Sequence, residues 1–270
     1  MVNWEKHEKL KEIIKNMGSL AVAFSGGVDS TYLLRTAHDA LGDKAIAVTI
    51  KSPSFPEREY HEATEFAQRL GIKHITVEAE ESDIELFADN PPDRCYICKK
   101  AIFKKVMSKA AEAGISNIAD GSNVDDLGDY RPGLKALKEL GIRSPLVEAG
   151  ITKQEIREFS QGLGIPAWDK PAYACLATRI PCGEKITMSK LKMVELAEQF
   201  LFDLGFKQVR VRHHGDIARI EVESSERFRF FDEQIMDRIN DELHSIGFRY
   251  VSMDLGGYRM GSMNKKNSTK

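Results

Sequence analysis

Ser25-Gly26-Gly27-Val28-Asp29-Ser30 stands between an apolar run, Leu20-Ala21-Val22-Ala23-Phe24, and an amphipathic stretch over 31–41. That order reads as a strand, a tight glycine turn and a helix. Two glycines let the backbone approach a ligand without Cβ clashes. The amides of the turn and the positive end of the following helix then face one point, which suits a phosphate group. Asp29 suits a magnesium ion, and the Ser25 and Ser30 hydroxyls suit phosphate oxygens. The lysine of a GxxxxGK(S/T) loop is absent, which excludes a kinase-type or GTPase-type loop. The plainer reading is an ordinary strand–turn–helix connection.

Outward from that stretch, strand-like runs fall at 45–50, 74–77, 117–120 and 145–147. Helical patterns fall at 57–70, 99–113, 134–140 and 152–163, and another covers 4–17. Such alternation predicts an α/β fold, a mostly parallel sheet with helices on both faces. Ligands of such sheets sit at the carboxyl ends of the strands, where the glycine loop lies. Segment 164–183 holds Pro166, Pro171 and Pro181 and fits neither period. Long loops of this kind are functional or disordered. Tyr173, Cys175, Arg179 and Cys182 favour the functional reading here. Beyond it come a helix at 188–204, strands at 208–213 and 217–222 about a Gly215-Asp216 turn, a helix at 232–246 and a strand at 250–254. These predict a small α+β domain. The expected division is a nucleotide domain at 1–170, an active-site loop at 171–186, the α+β domain at 187–262 and a disordered polar tail at 263–270.

With 270 residues, 42% hydrophobic and 30% charged, the chain has the composition of a soluble globular protein. It has no run of about 18 apolar residues, so no membrane span is expected. Met1-Val2-Asn3-Trp4-Glu5-Lys6 is charged and amphipathic, unlike a signal peptide, and a cytoplasmic location is expected. Four cysteines in that setting point to metal binding or catalysis more than to disulfides. A net charge of −2 gives no pull toward nucleic acid.

Cys95 and Cys98 form a C-x-x-C just before the helix expected from Lys99, and Cys175 and Cys182 lie in the proline-rich loop. The set suits an iron–sulfur cluster, a closed structural zinc or, for the pair alone, a redox dithiol. The spacing of Cys175 and Cys182 is not that of a zinc knuckle, which favours three ligands with Cys182 a bystander. Three thiolates on a four-iron cluster leave one iron open, and an open position is where chemistry occurs. Such an iron suits an inorganic sulfide, to be presented to an activated carbonyl.

In Gln208-Val209-Arg210-Val211-Arg212-His213-His214, alternation puts Arg210, Arg212 and His214 on one strand face. Two guanidiniums make a clamp for phosphate or carboxylate. The plainer reading is a solvated basic edge strand. Glu221 on the next strand is placed to pair with Arg210 or Arg212. The stretch from Asp125 to Leu134 also follows a strand, and there Asp126 or Asp129 suits magnesium and Arg131 suits phosphate. Helix capping and turn chemistry account for it equally well.

Ser25–Ser30 resembles the pyrophosphate loop of the ATP-pyrophosphatase (PP-loop) superfamily, whose members cleave ATP between the α and β phosphates. Asp129-Tyr130-Arg131-Pro132-Gly133-Leu134-Lys135, Arg179-Ile180-Pro181, Val209-Arg210-Val211-Arg212 and Asp254-Leu255-Gly256-Gly257-Tyr258-Arg259 resemble the LarE family, over nearly the whole chain. That family comprises ATP-dependent sulfur transferases of nickel-pincer nucleotide biosynthesis. The resemblance implies a small nucleotide substrate, pyridinium-3,5-biscarboxylic acid mononucleotide. One carboxylate is adenylated by ATP and exchanged for a thiocarboxylate, with Mg2+ present. One branch of the family sacrifices a cysteine that here is Ala174. The other holds a 4Fe–4S cluster on three cysteines, matched by Cys95, Cys98 and Cys175. Cys182 stands where the family commonly has tyrosine, and as a fourth ligand it would close the cluster.

By position the resemblance assigns Ser25, Gly26, Gly27, Asp29, Ser30, Asp129 and Arg131 to ATP. Thr178, Arg179, Arg210 and Arg212 fall to substrate phosphate, and Glu221 to a divalent cation. Cys175, Asp29 and Arg179 become the catalytic candidates, and the α+β domain takes substrate binding or oligomerisation. A sulfide or other sulfur donor and self-association into a homo-oligomer are implied, with no membrane or nucleic-acid partner. The competing functions are a tRNA thiolase of the same superfamily and a nucleotide-binding protein with a structural zinc.

Overall fold

A computed structural model of the chain describes residues 4–128, 132–170 and 174–259 together with Met263. Two compact units divide it: Met1–Phe87 with Asp93–Tyr173, and Ala88–Pro92 with Ala174–Lys270.

In the first unit, α1 (Glu5–Met17) leads into β1 (Leu20–Ala23), and α2 (Val28–Leu41) follows the glycine loop. Then come β2 (Ala45–Lys51), α3 (Glu57–Arg69), β3 (His74–Glu78), a short α4 (Glu81–Glu85) and α5 (Arg94–Glu112). After β4 (Ile118–Ala119) follow α6 (Pro132–Glu139), α7 (Pro145–Ala149) and α8 (Lys153–Gly162). The four strands are parallel in the order β3-β2-β1-β4. The inner strands β1 and β2 are mainly apolar on both faces because helices cover both faces, whereas the edge strand β3 alternates His74, Thr76 and Glu78 with Ile75 and Val77. Leu20, Val22, Ala45 and Ala47 point into one core with Leu10, Ile14, Leu33, Ile156 and Phe159. Ala21, Ile46 and Val48 alternate into a second core with Ile102, Val106, Ile115 and Leu137. The chain progresses from β1 to β3 on one side and returns to the other side of β1 with β4. The crevice at such a reversal is where open α/β sheets bind ligands, and the segments after β1 and β4 flank it.

Two expectations need correcting. The run at 145–147 is helix, not strand. Arg143 makes a single parallel bridge to Ala119, and Pro145 then opens α7, because a residue without an N–H cannot extend a ladder but suits the first helical turn. The helix expected from Lys99 begins at Arg94, so Cys95 and Cys98 lie inside it. Cys98 continues the stripe Ile102, Val106, Ala110 at four-residue spacing and packs against the second core.

The second unit opens with the segment Ala88–Pro92 and resumes at Ala174. Its proline-rich loop contains a 3₁₀ turn at Leu176–Arg179. Then follow α9 (Met188–Asp203), β5 (Val209–His214), β6 (Ile217–Val222), α10 (Glu233–Ile246) and β7 (Tyr250–Met253). β5 and β6 form an antiparallel hairpin, and β7 joins β6 in parallel after α10. Val209, Val211, Ala218, Ile220 and Val222 pack under Ala197, Leu201, Ile239 and Leu243 of the two helices. The alternate residues Arg210, Arg212 and Glu221 face the other way and are nonetheless buried. Of the tail expected at 263–270 only Met263 is described; 264–270 lie outside the described residues, as do Asp129, Tyr130, Arg131 and Tyr173.

Candidate active site

The glycine loop has the local geometry its sequence predicts. Gly26 has φ +72°, and a Cβ there would sit 3.2 Å from the Ala63 methyl. Gly27 precedes α2, and no described side chain caps that helix. Its first amides are therefore available to an anion. The Ser25 amide donates to the Ser30 hydroxyl at 3.2 Å, and the two hydroxyls lie 3.1 Å apart. The Thr31 hydroxyl donates to the Gly27 carbonyl at 2.8 Å. Gly121, after β4, touches the loop's far side: a Cβ there would meet the Ser30 amide at 3.0 Å. Glycine allows that approach without displacing the loop backbone.

Asp29 is the loop's one carboxylate. Its Oδ2 accepts from Lys153 Nζ at 2.5 Å. Its Oδ1 is buried with no hydrogen-bond partner among the described residues. Burial pushes the Asp29 carboxyl above its ordinary value, opposed by the Lys153 charge. Lys170 pairs with Glu62 and lies 3.5 Å from the Gly26 carbonyl. Asp126 accepts from the Asn123 amide at 3.0 Å, and Asp125 accepts from the Lys153 amide at 2.7 Å. Asp120 accepts from the Ser144 hydroxyl at 2.6 Å and also from Ser122. In its described part, then, the acidic segment after β4 does turn and capping work.

None of the four cysteines is in a disulfide; Cys95 is exposed and the others are half-buried. Cys95 and Cys98 belong to the first unit, Cys175 and Cys182 to the second. Among the described residues, no three His, Cys, Asp or Glu side chains gather as a ready metal site. The Cys175 carbonyl accepts from the Thr178 hydroxyl at 2.8 Å and from Arg179 at 3.2 Å, and Arg179 also reaches the Ala174 carbonyl at 2.6 Å. Arg179 and Thr178 thus fix the backbone that carries Cys175. The Cys182 thiol donates to the Asn90 carbonyl at 3.4 Å. Asn90, at φ +52°, also donates to the carbonyls of Ile180 (3.2 Å) and Pro181 (2.7 Å).

The basic strand is not a solvated edge. Arg179 is 1% exposed, Arg210 2% and Arg212 5%. Arg179 grips Glu198 with two bonds of 2.8 Å, and the Val211 amide donates to the same carboxylate at 2.9 Å. Burial pushes the Glu198 carboxyl up, yet Arg179, Arg210 and the Val211 amide together hold it below its ordinary value. Arg212 bonds Glu221 at 2.7 Å and reaches the Thr178 carbonyl at 3.3 Å. Glu221 also pairs with Arg219 at 3.1 Å, so the expected cation ligand here sits between two guanidiniums. Arg210 lies 5.1 Å from the Tyr258 ring centre, and burial, then Arg179, lowers its basicity. Among the described residues, Arg179, Arg210, Arg212 and Arg219 set four positive charges against the three negative ones of Glu198, Glu221 and Asp254. That surplus suits a phosphate.

Sequence reasoning missed Glu198, Lys153, Gly121 and Asn90. Glu198 did leave a signal, a carboxylate within the apolar stripe Leu191, Val194, Ala197, Leu201 of its helix. Lys153 left none, standing 124 residues from its partner.

A parallel sheet whose first strand feeds a glycine loop, an aspartate and a helix defines the PP-loop class of nucleotide-binding domain, and a family model described as NAD synthase matches residues 4–105. The chain is 42% identical to an uncharacterized protein of Synechocystis over 96% of its length and 97% of the relative. It is 40% identical to the pyridinium-3,5-bisthiocarboxylic acid mononucleotide synthase of Lactiplantibacillus plantarum, over 96% of this chain and 94% of that one. An uncharacterized protein of Methanocaldococcus jannaschii is 31% identical over 93% of this chain and 94% of its own. The chain belongs to this synthase family of PP-loop enzymes. No described helix is long and apolar enough to cross a membrane.

Proposed function

We propose that this chain is an ATP-dependent sulfur transferase acting on pyridinium-3,5-biscarboxylic acid mononucleotide in nickel-pincer nucleotide biosynthesis. The observation that carries the reading is 40% identity to a synthase of the bisthiocarboxylic product, sustained over 96% of the chain and so through both units. A substrate carboxylate oxygen attacks the α-phosphorus of ATP, and pyrophosphate leaves. Sulfur then attacks the acyl carbon of the adenylate, and AMP leaves with the oxygen.

Ser25, Gly26, Gly27 and Ser30 would bind the ATP phosphates, joined by Asp129 and Arg131. Asp29, with one oxygen lacking a partner, suits a magnesium ion on those phosphates. Thr178, Arg179, Arg210 and Arg212 would hold the substrate phosphate, with the charge surplus of the buried arginines as support. Glu221 is assigned to a divalent cation. Thiolates are soft donors that fit an iron–sulfur cluster, and Cys95, Cys98 and Cys175, none of them in a disulfide, would hold a 4Fe–4S group. When bound, that group supplies the sulfide. Cys175 sits on a backbone whose carbonyl is held by Thr178 and Arg179, two of the residues that would hold the substrate phosphate. A homo-oligomer in the cytoplasm, fed by sulfide or another sulfur donor, completes the proposal.

The test is protein prepared without oxygen. Iron and acid-labile sulfide are expected on the wild type, with AMP and pyrophosphate formed from ATP only when the pyridinium substrate is present. Cys175→Ala should lose most of the iron. One zinc without sulfide, or full iron in Cys175→Ala, would refute the cluster assignment.

A further inference from the structure

The motif Asp254-Leu255-Gly256-Gly257-Tyr258-Arg259 has no part in the chemistry above, yet its course is closely fixed. It leaves the end of β7 and returns to β6. The Asp254 amide donates to the Ile220 carbonyl and the Tyr258 amide to the Val222 carbonyl, each at 2.8 Å. The acceptors stand two residues apart on β6 and the donors four, so the segment between them loops out and leaves Leu255 exposed. The Gly257 amide closes the turn on the Asp254 carbonyl at 3.0 Å. Gly257 has φ +67°, and a Cβ there would meet the Val222 carbonyl oxygen at 2.8 Å. Both the backbone angle and the space call for glycine.

Each end of this strap is tied to one of the arginines of β5, by a different route. Asp254 takes a 2.5 Å bond from Arg219, Arg219 pairs with Glu221 at 3.1 Å, and Glu221 accepts from Arg212 at 2.7 Å. Tyr258 crosses to Arg210, whose guanidinium carbon lies 5.1 Å from the centre of the tyrosine ring. At that distance an aromatic face attracts a cation. A carboxylate beside a guanidinium cancels its charge, whereas a ring orients it and leaves the charge for an anion.

We propose that Tyr258 is a positioning residue for substrate binding: carried on a glycine-shaped strap, its ring sets the Arg210 guanidinium toward the substrate phosphate. Tyr258 acts through Arg210 and touches no reacting atom. Gly257 fixes where the ring stands, and the ion pairs from Asp254 to Arg212 keep the strap in step with the second arginine. The inference rests on the assignment of Arg210 to the substrate phosphate above.

The test measures binding of pyridinium-3,5-biscarboxylic acid mononucleotide, and of the nucleoside that lacks its phosphate, to the full chain as wild type, Tyr258→Leu, Tyr258→Phe and Gly257→Ala. Losing the ring contact weakens mononucleotide binding about three- to thirtyfold, while the nucleoside stays within about twofold. Tyr258→Phe, which keeps the ring, recovers most of the loss. Gly257→Ala, which displaces the ring without removing it, reproduces the loss in part. In turnover the loss shows as a raised KM with kcat little changed, because the phosphate is not the reacting group. Hydrogen exchange at the Val211 amide reports that the unit is folded. Unchanged mononucleotide binding in Tyr258→Leu, equal weakening of mononucleotide and nucleoside, or a Tyr258→Phe protein as weak as Tyr258→Leu overturns the proposal. So does loss of Val211 protection in Tyr258→Leu, which would assign the ring to folding. Wild-type binding in Gly257→Ala would overturn the strap's part. A wild type that binds mononucleotide and nucleoside equally would refute the phosphate assignment itself, and Tyr258's role with it.

Discussion

Replacing Glu198 by alanine should be the most damaging single change in the second unit. The carboxylate is buried, takes two 2.8 Å bonds from Arg179 and one of 2.9 Å from the Val211 amide. Deleting one member of a buried ion pair strands the other, at about 3–5 kcal/mol. Domains are stable by only about 5–15 kcal/mol, so Glu198→Ala takes a large share. Glu198→Gln keeps the shape and an acceptor for Val211 but not the charge, and should cost less, about 1–3 kcal/mol.

The pH sign is definite. The folded carboxyl sits below its ordinary value, 4.5, so the unfolded chain binds the proton more readily. The stabilisation is complete above that value and is lost as pH falls through the lower folded one. Wild type and Glu198→Gln should therefore converge in acid. Both tryptophans, Trp4 and Trp168, belong to the first unit, so indole fluorescence does not report this loss. Hydrogen exchange at the Val211 amide during urea unfolding does. A Glu198→Ala protein within about 1 kcal/mol of wild type, with Val211 still protected, would refute the reasoning.

Gly121→Ala places a methyl 3.0 Å from the Ser30 amide and 3.2 Å from its Cα. It should push the glycine loop outward, cost about 1–3 kcal/mol of stability and weaken ATP binding, read by thermal melting with and without nucleotide. An unchanged ATP affinity would show that the loop yields without consequence. Asn90→Ala loses the bonds to Ile180 and Pro181 and puts a side chain that cannot compensate at φ +52°, whereas Asn90→Gly loses the bonds without the strain. The alanine variant should be the less stable by about 1–2 kcal/mol in chemical denaturation, and equal losses would remove the strain component.

What the sequence tells and withholds follows the range of the interactions. The glycine loop is legible because its turn, its strand and its helix are contiguous and each obeys local rules. The run at 145–147 misleads because three apolar residues suit strand or helix alike, and Pro145 decides between them. Alternation places the arginine strand on the right face with the right partner, Glu221. Its burial is not legible, since alternation reveals two faces without saying what covers the second. The 3₁₀ turn bearing Thr178 and Arg179 covers it. Lys153 beside Asp29 is invisible for the same reason, being a product of topology. Cys98 shows a subtler limit: its thiol chemistry draws the eye away from its place as the first member of an apolar helical stripe.

The segment Ala88–Pro92 has a consequence for how the chain is made. Asn90 leaves the ribosome well before Cys182, the donor to its carbonyl, 92 residues later. Synthesis proceeds from the N-terminus, and early domains fold as they emerge. The first unit's sheet and glycine loop are complete in the nascent chain while Ala88–Pro92 still lacks its partners. A gene fragment starting at Ala174 would lack them permanently, so the unit that holds the arginines cannot be excised by a single cut. Any shuffled or circularly permuted version of this enzyme must carry those five early residues along with the late ones.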